Sequence, residues 1–134
     1  MKQLRKLFGM FLVLAVCSFS AVSCINLSIE DLVEVANSKY PKKMDGGMTM
    51  EKVTYADKVV CFYVTVDENV TPLNASEEVV EFMRQGLIDV YKPVYKEDAL
   101  LAAVVEQNLT LKFKYSGNIS GELFDIEIEG EELK

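Results

Sequence analysis

The residues that most restrict the fold lie toward the C-terminal end of the 134-residue chain. Leu109, Leu111, Phe113 and Tyr115 alternate with Thr110, Lys112 and Lys114, and Phe124, Ile126 and Ile128 alternate with Asp125, Glu127 and Glu129. A period of two marks a β-strand, because successive side chains point to opposite faces of a sheet. Residues 116–121 between the two runs are turn formers, so the segment predicts an antiparallel hairpin. Placing Lys112 opposite Asp125 sets Leu111 against Ile126 and Phe113 against Phe124. That register gathers apolar pairs on one face and opposite charges on the other. A sheet with one dry face must be covered, and the rest of the chain has to supply the cover.

Helical periodicity supplies it. Ile29, Leu32, Val33 and Ala36 share one face of a first helix, with Ser28 as its N-cap and Glu30 and Asp31 near the positive end of the helix dipole. Pro41 ends that helix, since the residue before a proline is pushed out of the helical region. Asp45-Gly46-Gly47 is a turn. Two strands follow over 48–55 and 58–66, and Val59 to Val64 is apolar at six consecutive positions. Such a run suits a central strand covered on both sides. A second helix over 76–91 places Val79, Phe82, Met83, Leu87 and Val90 on one stripe, and Lys92-Pro93 ends it. A third helix over 97–106 carries Leu100, Leu101, Val104 and Val105. The predicted order is α-β-β-α-α-β-β. The fold class is α+β, with a four-stranded antiparallel sheet and helices packed mainly on one face.

The N-terminus carries a different kind of signal. Lys2, Arg5 and Lys6 precede an apolar stretch from Leu7 to Val22, which ends in Ala21-Val22-Ser23-Cys24. The stretch is short against the roughly 20 residues of a membrane-spanning helix. Ala21-Val22-Ser23-Cys24 resembles the lipobox of bacterial lipoproteins, with Ala21 in place of the commoner leucine. The resemblance implies an export signal over residues 1–23, cleavage before Cys24, and lipid attached to the Cys24 thiol. Plain secretion with a chance cysteine and a retained helix are the competing readings. Lipidated, Cys24 would anchor the protein stably, since two acyl chains already suffice. Residues 24–134 then form one α+β domain of ordinary size. Its layout loosely resembles small exported bacterial proteins, and cystatin-like or PsbP-like α+β domains. That likeness of layout brings no catalytic residues with it.

Charge and cysteine usage narrow the function. Of 14 Lys and Arg against 21 Asp and Glu, cleavage removes three basic residues and leaves a net charge of −10. A body this acidic is unsuited to nucleic acid, which recruits clustered Lys and Arg. With Cys17 lost and Cys24 lipidated, Cys61 has no disulfide partner. The chain has no histidine, so His-based metal sites and Ser-His or Cys-His catalysis are excluded. No Gly-rich phosphate loop is present. Cys61 lies in an apolar strand, where burial raises a thiol's pKa, and reads as a core residue. No catalytic residue, metal site or cofactor is expected.

Two features point to binding. Lys39, Lys42 and Lys43 follow the first helix, where cations are favourable at the C-terminal end. With only residues 25–28 between the lipid and the first helix, a tether on the order of 14 Å, these lysines could also touch lipid headgroups. The second feature is the face of the central strand turned away from the helices. Tyr55, Val59 and Tyr63 form a candidate partner-binding patch there, unless the sheet curls or a loop covers it. The expected function is a non-enzymatic, lipid-anchored cell-envelope protein that binds another protein or a copy of itself. The alternative is a periplasmic small-ligand carrier or sensor with a pocket between sheet and helices. Ile25, where an inner-membrane lipoprotein would carry Asp, implies by resemblance to Gram-negative sorting the periplasm-facing side of the outer membrane.

Overall fold

The computed structural model describes residues 27–71 and 76–134. The expected export signal over residues 1–23, the expected lipidation site Cys24 and the first half of the expected tether lie outside the described residues. The chain forms α1 (Ile29–Asn37), β1 (Lys42–Met44), β2 (Met48–Ala56), β3 (Val59–Val66), α2 (Glu77–Tyr91), α3 (Ala99–Glu106), β4 (Thr110–Gly117) and β5 (Gly121–Glu129). Short 3₁₀ turns occupy Asp45–Gly47, Tyr95–Glu97 and Gly130–Leu133.

Each helix starts at a side-chain cap. Ser28 Oγ accepts from Asp31 N at 3.2 Å and Ser76 Oγ from Val79 N at 3.4 Å. Asp98 accepts from Leu100 N at 2.9 Å and from Leu101 N at 3.2 Å, satisfying donors that a helix start leaves orphaned. Glu30 and Asp31, and Glu77 and Glu78, fall in the first turns of α1 and α2, where the dipole favours them. The sequence Ala-Leu-Leu-Ala-Ala-Val-Val in α3 is apolar all round, as suits a helix surrounded by protein.

The sheet has five strands in the order β1-β2-β3-β4-β5, and β3 pairs with β4 in parallel. The expected four-stranded antiparallel sheet is thereby corrected on two counts. Parallel neighbours require a long crossover, and residues 67–109 with α2 and α3 provide it. The added strand, β1, is three residues long and pairs Lys42 with Met50 and Met44 with Met48. A strand that short has too few residues to show a period. The terminal hairpin is present, but in a register two residues away from the expected one. Lys112 lies opposite Glu127, Leu111 opposite Ile128, Phe113 opposite Ile126 and Tyr115 opposite Phe124. A bulge after Tyr115 shifts the pairing by one residue toward the turn, so that Ser116 lies opposite Glu122. The slip is even, so every side chain keeps the face that the alternation assigned to it.

All three helices contribute to one hydrophobic cluster with a single face of the sheet. That face carries Met48, Met50 and Val53 of β2, Val60, Val64 and Val66 of β3, Leu111, Phe113 and Tyr115 of β4, and Ile126 and Ile128 of β5. Phe113 stacks on Phe62 with ring centres 5.4 Å apart, and Tyr91 of α2 approaches it from the helix side at 6.3 Å. The buried stripe of α2 is Met83, Leu87, Ile88 and Tyr91. Phe82, placed on that stripe by helical spacing, is instead 48% exposed. The two positions are neighbours, and a rotation of one residue turns one of them out.

Helix side chains also finish both sides of the sheet. The amide of Asn37 donates to Val53 O at 2.7 Å and accepts from Val53 N at 2.9 Å, standing in for a neighbouring strand where β1 has ended. Arg84 of α2 donates to Glu127 O of β5 at 2.9 Å and pairs with Glu132. Bare strand edges invite pairing with other chains, and these contacts occupy them.

Candidate functional site

The face of the sheet turned away from the helices is where two of the expected partner-binding residues fall. Strand alternation sets Val59, Cys61, Tyr63 and Thr65 on this outer face, beside Lys52 and Thr54 of β2 and Lys112 and Lys114 of β4. Tyr55 is not among them. It lies opposite Val60, on the core face, and packs against the hydrophobic cluster. Tyr55 and Tyr63 therefore stand on opposite sides of the sheet and form no common patch. The turn at Asp57-Lys58 fixes this pairing, and the bulge farther along β2, between Met50 and Lys52, is what lets Met50 and Val53 share the core face.

Among the described residues, the outer face is covered by charged side chains and not by a second layer. The ammonium of Lys52 sits 4.7 Å from the centre of the Tyr63 ring. Lys112 reaches Asp125 at 3.5 Å and Glu127 at 3.8 Å, and Lys114 reaches Glu122 at 3.9 Å. Thr110 donates to Glu129 and Thr65 to Glu51, extending the polar cover. Cys61, directly beside Lys112 in the pairing, is buried on this face although it lies outside the main core. Lysine stems can shield apolar surface while their charged ends stay wet. Burial pushes the Cys61 thiol up, with a hydrogen bond from Tyr63 and the charges of Lys112 and Lys114 opposing it. A protonated thiol with no base beside it is a poor nucleophile.

The three lysines separate. Lys39 lies in the turn after α1 and is exposed, and Lys43 is exposed opposite Thr49. Lys42, opposite Met50, points to the helix side and is half-buried. Alternation along β1 divides the pair that looks like a cluster in the sequence.

Among the described residues, no three of the His, Cys, Asp and Glu side chains gather as metal ligands. No helix there is long and apolar enough to cross a membrane. The hollow beside Phe82 is lined by Glu77, Glu78, Glu81 and Gln85 of the same helix and opens to solvent. It lies on one helix, not between sheet and helices, and differs from the enclosed pocket a small-ligand carrier requires.

Sequence reasoning missed the residues that are apolar and exposed. Val70 is 58% exposed and Ile119 69% exposed, each in a connection between elements. The available signal was an aliphatic side chain set among turn formers, in Asp67-Glu68-Asn69-Val70-Thr71 and Asn118-Ile119-Ser120.

No protein-family model and no curated protein matches the chain. Among solved structures, the fold is similar to a pilotin of the type 2 secretion system of Vibrio vulnificus, with a TM-score of 0.55 and 13% identity over 79% of this chain and 88% of that one. It is similar to the type II secretion system pilotin of Vibrio cholerae, with a TM-score of 0.54 and 9% identity over 78% and 87%. A candidate secreted protein of Pseudomonas aeruginosa gives 0.52 and 11% over 79% and 89%. Each match spans more than three quarters of both chains, and it is a likeness of fold.

Proposed function

We propose that this chain is a non-enzymatic lipoprotein of the bacterial cell envelope that works by binding another envelope protein. The fold it shares with two type II secretion pilotins supports this reading most directly. A component of a secretion system is accordingly the first partner to look for. Ala21-Val22-Ser23-Cys24 supports an anchor at Cys24 after removal of residues 1–23, leaving residues 24–134 as one domain. The inner face of the outer membrane is the proposed location, from Ile25. Lys39 and Lys43 are the proposed headgroup contacts, with Lys42 turned from them. On the outer sheet face, Val59 and Tyr63 remain a proposed contact stripe without Tyr55.

The test has two arms. Cys24→Ser should abolish incorporation of a labelled fatty acid into the protein and, because lipid attachment precedes cleavage on this reading, leave residues 1–23 on the chain. Chemical crosslinking of the wild type in its native envelope should give a discrete adduct with one other envelope protein. Fatty-acid labelling of Cys24→Ser equal to that of the wild type, or no labelling of the wild type, would remove the lipid anchor from the reading. Adducts with itself alone would replace the partner by self-association.

A further inference from the structure

Three connections meet at one end of the sheet: Asp45–Gly47 before β2, residues 67–71 after β3, and residues 118–120 between β4 and β5. They are fastened to one another. Asp67 N donates to Gly47 O at 2.7 Å, and the Thr71 hydroxyl donates to Gly46 O. Asn118 N donates to Val66 O at 3.1 Å, and its side chain accepts from Glu68 N at 3.0 Å and donates to Asp67 Oδ1 at 3.3 Å. The Glu68 carboxylate closes the structure, accepting from Ile119 N and Ser120 N at 2.8 Å each. Hydrogen bonds from Ser120 and Ile119 hold the Glu68 carboxyl below the usual glutamate range.

Two glycines make this closeness possible. A Cβ on Gly117 would lie 2.4 Å from the carboxyl carbon of Glu68, and one on Gly47 would lie 2.9 Å from Cβ of Val70. Gly47 also has φ +74°, a conformation that side-chain-bearing residues rarely adopt. The frame presents Val70 and Ile119, two of the three large hydrophobic side chains most exposed among the described residues. Neither is needed to fill the core, and both are held in place. A surface ordered before binding loses less entropy when a partner arrives.

Charge selects the partner. The frame carries Asp45, Asp67 and Glu68, with Glu122 next to it and no Lys or Arg in residues 45–47, 67–71 or 117–122. An anionic bilayer surface is repelled by this end, and so is the same end of a second copy. We infer that this tip is the docking surface for a protein segment whose apolar side chains are flanked by Lys or Arg. The inference rests on the protein-binding reading above and adds where the partner sits and what it presents.

A photoreactive amino acid placed at Ile119 in the full-length, lipidated protein in its native envelope tests this, with equivalent probes at Phe82, Tyr63 and Glu106. The expected result is a protein adduct from Ile119, absent from Glu106, whose crosslinked segment is apolar and flanked by basic residues. Val70→Ser and Asp45→Lys should each lower the adduct yield by roughly tenfold. Both positions are exposed, so the thermal midpoint should stay unchanged. Gly117→Ala, which displaces the Glu68 carboxylate, should lower the yield while the core stays folded. An adduct from Tyr63 or Phe82 but not from Ile119 overturns the tip and leaves a protein partner standing. Lipid or self adducts from Ile119 overturn it in favour of a membrane or a second copy. No adduct from any probe overturns both the tip and the protein-binding reading.

Discussion

The two faces of the sheet solve the same problem by opposite means. On the helix side, Met, Val, Leu, Ile, Phe and Tyr side chains exclude water, and three helices complete the cover. On the outer side, β3 is also apolar, yet its cover is a row of lysines paired with acids from β5. The first solution depends on shape and buried area. The second depends on side chains that stay solvated and give only about 0–1 kcal/mol per ion pair. Stability should therefore reside on one face, leaving the other free to change at little cost to the fold.

The largest effect should come from breaking the dry face at its centre. Phe113→Ala removes the ring that lies between Phe62 and Tyr91, and should cost about 3–5 kcal/mol. Urea unfolding at neutral pH measures it. A loss below about 1 kcal/mol would mean that the stack does not organise the core.

The next prediction places a charge on the dry side of the comparison. Asp98 is 4% exposed, and burial pushes its carboxyl up to about 6 from 3.8, while hydrogen bonds from Leu101 N and Leu100 N oppose the rise. A raised folded value means that the native state holds its proton more tightly than the unfolded chain. The contribution is thus full below about pH 3.8 and lost as pH rises through about 6. An asparagine side chain at this position would keep the N-cap acceptor without the charge. Asp98→Asn should therefore flatten the stability profile between about pH 4 and 6 and raise stability at pH 7 by at most about 3 kcal/mol. Glu132 has the opposite sign: its hydrogen bond from Arg84 lowers its pKa, so its contribution is present above 4.5 and fades in acid. Thermal melts of both proteins from about pH 3.5 to 7 separate the two. An Asp98→Asn profile parallel to wild type would show that Asp98 does not titrate in this range.

A third prediction concerns the rim between the faces. Asn37→Ala leaves Val53 N and O without the amide that pairs them, and should cost about 1–3 kcal/mol. Hydrogen exchange at Val53 should rise more than exchange at Val60. Equal changes at both would show a global loss and not an opened edge.

How much of this was legible follows from the range of each signal. Period and capping are local, so Ser28 and the alternation from Leu109 to Ile128 fix elements and faces correctly. Strand order is not local. Nothing in Val59–Val66 or Thr110–Gly117 records that the two run in parallel, because the crossover between them decides it. The face of Tyr55 depends on its pairing with Val60 across the turn at Asp57-Lys58, which alternation within β3 alone does not record, and that pairing puts Tyr55 on the core face while Tyr63 faces out. The Lys112 register failed because Asp125 and Glu127 both suit a lysine, and Lys112 in fact reaches both. The tip was missed for a related reason: its parts are three short polar segments that become one surface only when the strands are assembled.

The smallest effect should come from the wet face, and its smallness is the point. Lys112 lies between two acids, and its stem lies beside the buried Cys61. If the ion pairs held this face, Lys112→Ala would be as damaging as a core truncation. If the lysine acts chiefly as a solvated cover, the substitution should cost below about 1 kcal/mol. Most of that loss should vanish by about 0.5 M salt, where the screening length falls to roughly 4–5 Å. The thiol supplies an independent readout. Removing the Lys112 stem should make Cys61 react faster with a neutral alkylating reagent, with the fold intact by circular dichroism. Lys112→Met, which keeps a stem without the charge, should restore slow reaction without restoring salt dependence. A salt-independent loss of several kcal/mol would make the two faces equal contributors to stability and end the contrast between them.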